Sequence, residues 1–229
     1  MMKLFVIEGV DGAGKSTQIK LLRDFFSKKG YSCEYMHFPR TETPYFGELI
    51  SRFLRGEFGT LNDVDPYLAA MLYAGDRKDA STMISKWLTD GKIVFLDRYT
   101  YSNIAYQCAK LEERSAQDKL MNWIFSLEFG HFAIPKPDLN IFLDVPFDFA
   151  EKNLTKIRTG SDRNYLNGTK DIHEESMAFQ KKVRDIYLRV SESDDLLAVV
   201  DCCSSDGTML SPAEIFELII NIFKERSLI

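Results

Sequence analysis

No apolar run in this sequence comes near the roughly twenty residues that a bilayer-spanning helix needs. The first, LFVI at 4–7, is closed at once by Glu8, so neither a membrane span nor a targeting segment is expected. Cysteine is scarce. Cys33, Cys108, Cys202 and Cys203 form no CxxC pair and no metal-type spacing, which argues against a disulfide scaffold or a zinc module. Free thiols in a reducing compartment, the cytoplasm, are the expectation. Surplus basic charge is missing too. Lys and Arg number 29 against 34 Asp and Glu, a net charge of −5, which speaks against a nucleic-acid partner but leaves room for a local basic pocket. His37, His131 and His173 are scattered, without a metal or nucleophile partner by spacing. There is no internal repeat and no low-complexity tract.

What is present is a chain of 229 residues, 45% hydrophobic, enough for one large domain over 1–229. KLFVIE at 3–8 reads as a buried strand, and Ile19, Leu22 and Phe26 space out a helix from Lys15 toward Gly30. A second strand runs from Cys33 to Phe38 and stops at Pro39. Asp65-Pro66 is a cap and first-turn proline for a long helix ending before Gly91. Further strands are expected at 93–97, 139–144 and 196–201. Helices are expected over 101–130, from Pro146, up to about Glu192, and after the Ser211–Glu214 capping box. The polar tract at 159–171 reads as an exposed loop. Such alternation predicts a doubly wound α/β domain, a five-stranded parallel sheet with helices on both faces. Ligands of such sheets bind beyond the carboxyl ends of the strands, where GVDGAGKS, FPR and DRY sit here.

Gly9, Gly14, Lys15 and Ser16 fit G-x-x-x-x-G-K-S between a strand and a helix, the context that marks a P-loop. Gly9, Val10, Asp11, Gly12, Ala13, Gly14, Lys15, Ser16 and Thr17 would cradle the phosphates of ATP through backbone N–H groups. Lys15 would supply a point charge, and Ser16, with Asp97 at the end of strand three, oxygen for Mg²⁺. Regulatory GTPases, ATPases and small-molecule kinases share this loop. A GTPase would carry an N/T-K-x-D element late in the chain, and none is found. Arg40 and Arg98, at the ends of strands two and three, bring more positive charge than one triphosphate needs and suggest a second phosphate. Tyr73 and Arg77 share a helix face, as do Asn103 and Tyr106.

GVDGAGKSTQ, FPR, the YAGDR helix, DRYTYSNIAY and PKPDLNIFLD together resemble thymidylate kinase, from Lys3 to about Arg189. The resemblance implies a P-loop nucleoside monophosphate kinase fold and phosphorylation of dTMP to dTDP by ATP with Mg²⁺. It implies that Tyr73 stacks on thymine beside Phe38, and that Arg77 and Asn103 bond the base. Arg40 and Arg98 would hold the dTMP phosphate, Tyr106 would press on the sugar, and Asp11 would meet the 3′-hydroxyl or a neighbouring arginine. Family members with glycine inside the loop, as Gly12 is here, draw a catalytic arginine from a mobile lid. That points to Arg158 or Arg163 within 156–173, acting with Lys15 and Arg98. A homodimer through helices including 67–89 is also implied. Asp144 and Glu151 read as structural or solvated, and 110–134 receives no role. Two alternatives stay open: a kinase for another monophosphate or a nucleoside, and a nucleotide-binding protein without turnover.

Overall fold

The computed structural model describes residues 3–155, 166 and 177–229. Five strands form one parallel sheet: β1 (Lys3–Glu8), β2 (Cys33–His37), β3 (Ile93–Asp97), β4 (Leu139–Asp144) and β5 (Leu197–Asp201). Their spatial order is β2-β3-β1-β4-β5. Lys3 lies level with Ile93, Cys33 also with Ile93, Phe5 with Leu139, and Asn140 with Leu197.

The unbroken apolar run of β1 follows from burial on both sides. Phe5 and Ile7 face one core, while Leu4 and Val6 face the other. The first core takes Ile19, Leu22 and Phe26 of α1 (Lys15–Lys28), Ile104 of α4 (Thr100–Cys108) and Ile124 of α5 (Arg114–Phe125). Val183 of α7 (Met177–Ser191) and Phe223 of α8 (Pro212–Glu225) complete it. The second is closed by Ala80, Ile84 and Leu88 of α3 (Pro66–Thr89). A strand covered on both faces has no polar alternation to keep, which is why it reads as continuous hydrophobe.

The capping signals were accurate. Asp65 Oδ1 accepts from the backbone N–H of Tyr67 at 2.8 Å, and Ser211 with Glu214 forms a reciprocal capping box. One boundary differs from the expectation, and one helix was not foreseen. β2 ends at His37 rather than Phe38, although the Phe38 N–H still bonds the Asp97 carbonyl at 2.9 Å. A short helix that the sequence reading passed over, α2 (Phe46–Leu54), packs on α3. The helices expected over 101–130 are α4, α5 and a π-helical turn at Ser126–His131. Helix α6 (Phe147–Thr155) follows β4. No helix among the described residues is long and apolar enough to cross a membrane.

Candidate active site

β1 is the central strand, and its end runs straight into the glycine-rich loop. Gly14, at φ 85°, turns the chain into α1 in the left-handed region, where a side chain would be strained. The ammonium of Lys15 is buried and donates to the carbonyls of Gly9 at 3.4 Å and Val10 at 3.1 Å. Burial, with Arg98 nearby, lowers its pKa to about 8, against the opposing pull of Asp97, Asp11 and Glu8. Ser16 and Thr17 are exposed at the helix start.

Arg98 follows β3 with φ 68°, a conformation that costs a non-glycine residue energy and is held by its surroundings. Its backbone N–H bonds the Ile7 carbonyl at 3.0 Å. Its guanidinium donates to Asp11 Oδ1 at 2.5 Å, to the Tyr106 hydroxyl at 3.2 Å and to Ser102 Oγ at 3.1 Å. Tyr106 in turn donates to Asp11 Oδ2 at 2.7 Å. Burial pushes its phenol well above the ordinary value, so it stays a donor. The Arg98 guanidinium is thus ion-paired with Asp11. It joins the glycine-rich loop to the end of β3.

Under this cluster lies a carboxylate that the sequence reading gave no role. Glu8 is fully buried, and burial raises its pKa. It accepts from the backbone N–H of Tyr99 at 2.9 Å, Ser102 Oγ at 2.6 Å and the Tyr187 hydroxyl at 2.9 Å. Glu8 thereby fixes the turn that carries Arg98. Gln180 and Asn153 were missed as well. Gln180 Nε2 donates to Asp11 Oδ2 at 3.1 Å, and Asn153 Nδ2 to the Gly12 carbonyl at 3.0 Å.

Asp97 is buried. Burial would raise its pKa, but Lys15, His37 and Arg98 together lower it. One oxygen lies 3.5 Å from His37 Nδ1, so His37 has a carboxylate partner that spacing did not reveal. The other oxygen, Oδ1, has no hydrogen-bond partner among the described residues. A free carboxylate oxygen and the Ser16 hydroxyl are hard donors of the kind Mg²⁺ takes when substrate phosphates supply the rest. No cluster of three or more His, Cys, Asp or Glu suited to a metal occurs among the described residues.

On the other side of Arg98, Arg40 is clamped by Asp76. Its Nε donates to Asp76 Oδ1 at 2.8 Å, and one terminal nitrogen reaches Asp79 at 2.6 Å. Its guanidinium lies over the buried ring of Phe38. Tyr73 meets Phe53 of α2 edge-on, with ring centres 6.3 Å apart. Arg77 is bound through two nitrogens to Glu128, both at 2.6 Å, and Asn103 Nδ2 donates to Glu128 at 2.9 Å and to the Ala70 carbonyl at 3.0 Å. Arg77 and Asn103 thus share a carboxylate from the stretch given no role. Asp144, read as structural or solvated, is bound by Arg184 at 2.5 and 2.8 Å. Arg158, Arg163 and all of 156–173 except Leu166 lie outside the described residues.

The model of the family described as thymidylate kinase matches residues 7–206. The chain belongs to the thymidylate kinase family. It is 35% identical to a probable thymidylate kinase of Pyrococcus horikoshii over 202 residues, 87% of this chain and 88% of that one. It is 32% identical to the thymidylate kinase of Mycobacterium tuberculosis over 189 residues, 82% of this chain and 85% of that one. The solved structure of thymidylate kinase from Candida albicans superimposes with a TM-score of 0.71 at 26% identity, covering 98% of this chain and 92% of that one. The thymidylate kinase fold therefore extends through β5 and α8, beyond the stretch to about Arg189 that the sequence motifs marked.

Proposed function

We propose that this thymidylate kinase phosphorylates dTMP to dTDP with ATP by holding donor and acceptor phosphates on either side of Arg98. The observation that carries the reading is the Arg98–Asp11 pair, which ties the glycine-rich loop to the end of β3. The backbone N–H groups of 9–17 and the Lys15 ammonium take the donor phosphates. Ser16 and Asp97 would hold Mg²⁺, which would supply charge neutralisation at those phosphates. Arg40 and Arg98 fix the acceptor phosphate in line. Tyr73 stacks on the base near Phe38, Arg77 and Asn103 bond its edge, and Tyr106 lies against the sugar with Asp11. Phosphoryl transfer needs positioning and charge balance rather than a covalent intermediate. No general base is required, since a dTMP phosphate oxygen is already ionised at neutral pH.

Gly12 leaves the loop without an arginine, so Arg158 and Arg163 are assigned to the lid and to the charge that develops during transfer. Three exposed side chains on α3, Leu68, Met71 and Met83, support a homodimer through that helix. Four free cysteines support a cytoplasmic setting. A coupled ADP-release assay with dTMP, dUMP, dCMP and dGMP tests the reading. ADP production that requires dTMP and exceeds that with dCMP and dGMP supports it. Equal rates with all four, or release independent of any monophosphate, contradicts it.

A further inference from the structure

The π-helical turn at Ser126–His131 is a rare geometry that is frequent at functional sites. Here it carries Glu128, a fully buried carboxylate. Both oxygens of Glu128 are used twice. Oε2 accepts from Arg77 Nε at 2.6 Å and Thr100 Oγ1 at 2.9 Å. Oε1 accepts from Arg77 Nη2 at 2.6 Å and Asn103 Nδ2 at 2.9 Å.

This arrangement decides which way the Asn103 amide points. Its two neighbours, the Ala70 carbonyl and Glu128, can only accept, so the nitrogen must face them. The oxygen is left buried and, among the described residues, without a partner. Arg77 is held by one edge in the same way, and its Nη1 makes no hydrogen bond among the described residues. The pocket therefore offers an acceptor from Asn103 and a donor from Arg77. Gln107, one turn along α4, has neither amide atom bonded among the described residues, so nothing fixes its polarity.

We propose that Glu128 is a positioning residue that sets the hydrogen-bond polarity of the base pocket. Through Asn103 and Arg77 it selects a pyrimidine with an N3–H and a 4-keto oxygen over one with a bare N3 and a 4-amino group. The proposal rests on the reading of Arg77 and Asn103 as base contacts. A 4-aminopyrimidine would set lone pair against lone pair at Asn103 and donor against donor at Arg77, and buried polar groups left unpaired in this way are strongly disfavoured.

The test compares dTMP with 5-methyl-dCMP, which differ only at positions 3 and 4. In Glu128→Gln the added amide N–H₂ can face Asn103 and release its orientation. The dTMP to 5-methyl-dCMP ratio of kcat/KM should then fall by about tenfold or more, with KM for dTMP raised and KM for ATP unchanged. A folded variant that keeps the ratio overturns the assignment, because general destabilisation would not move it. If the variant does not fold, binding to the unaltered protein decides. Both 5-methyl-dCMP and 3-methyl-dTMP should bind at least about 100-fold more weakly than dTMP. Comparable binding of either overturns the proposed polarity. An unaltered protein that phosphorylates no monophosphate defeats the kinase reading itself. Turnover of dTMP with an unchanged ratio in Glu128→Gln defeats only the role of Glu128.

Discussion

Lys15 is a lysine kept on a short leash. It is buried among loop carbonyls beside Arg98, and its pKa is drawn down to about 8. The charged form is the one assigned to the donor phosphates, so raising pH through that value would discharge the site. kcat/KM for ATP, which reports the free enzyme, should fall about tenfold per pH unit above roughly pH 8. kcat should hold to higher pH, because bound phosphates stabilise the ammonium. A kcat/KM profile flat to about pH 10 would show that Lys15 titrates as an ordinary lysine. The cations of the site were legible because each stands in a motif: Lys15 in the P-loop, Arg40 after a strand and proline, Arg98 after Asp97. Their carboxylate partners were not. Glu128 lies 51 residues from Arg77 and Asp76 lies 36 from Arg40, so no spacing rule connects them. Glu8 sat inside an apolar run and read only as the end of that run.

Helix starts were legible where a side chain does the capping. Asp65 and Ser211 both accept backbone N–H groups and mark α3 and α8 in the sequence. α2 escaped notice because Tyr45, at its start, makes no capping bond and has φ 61°, ψ −87°. Yet FGELISRFL has apolar residues at helical spacing, with Ile50, Phe53 and Leu54 buried. α2 is seated on α3 through Gly75. A Cβ there would fall 2.1 Å from Cε1 of Phe46 and 2.5 Å from its Cζ. Gly75→Ala must part the two helices or turn the ring. Chemical denaturation should show a loss on the order of 1–3 kcal/mol. KM for dTMP should rise with it, since α3 carries Tyr73, Asp76 and Arg77. Unchanged stability would mean that Phe46 moves aside without cost.

Across the molecule, the strand order puts β3 between β2 and β1. Their three carboxyl ends, with Phe38-Pro39-Arg40, Arg98 and the glycine-rich loop, become neighbours. Alternating apolar runs announced five parallel strands, but their lateral order depends on pairings between residues 57 to 134 apart and is not written in any local stretch. The lid is assigned to 156–173, which apart from Leu166 lies outside the described residues. Arg158→Ala with Arg163→Ala should cost on the order of 10³-fold in kcat while leaving dTMP affinity nearly unchanged, as expected for charge engaged only in the transition state. Retained kcat in steady-state assays would move that charge to another residue. The central claim is that Arg98 stands between two phosphate sites and serves the acceptor. Calorimetric binding of dTMP and of ATP to Arg98→Ala tests it most directly. Loss of a charged, desolvated phosphate contact should weaken dTMP by about 2–5 kcal/mol, while ATP changes by less than about 1 kcal/mol. Equal weakening of both ligands, or of ATP alone, would contradict the account and place Arg98 with the donor.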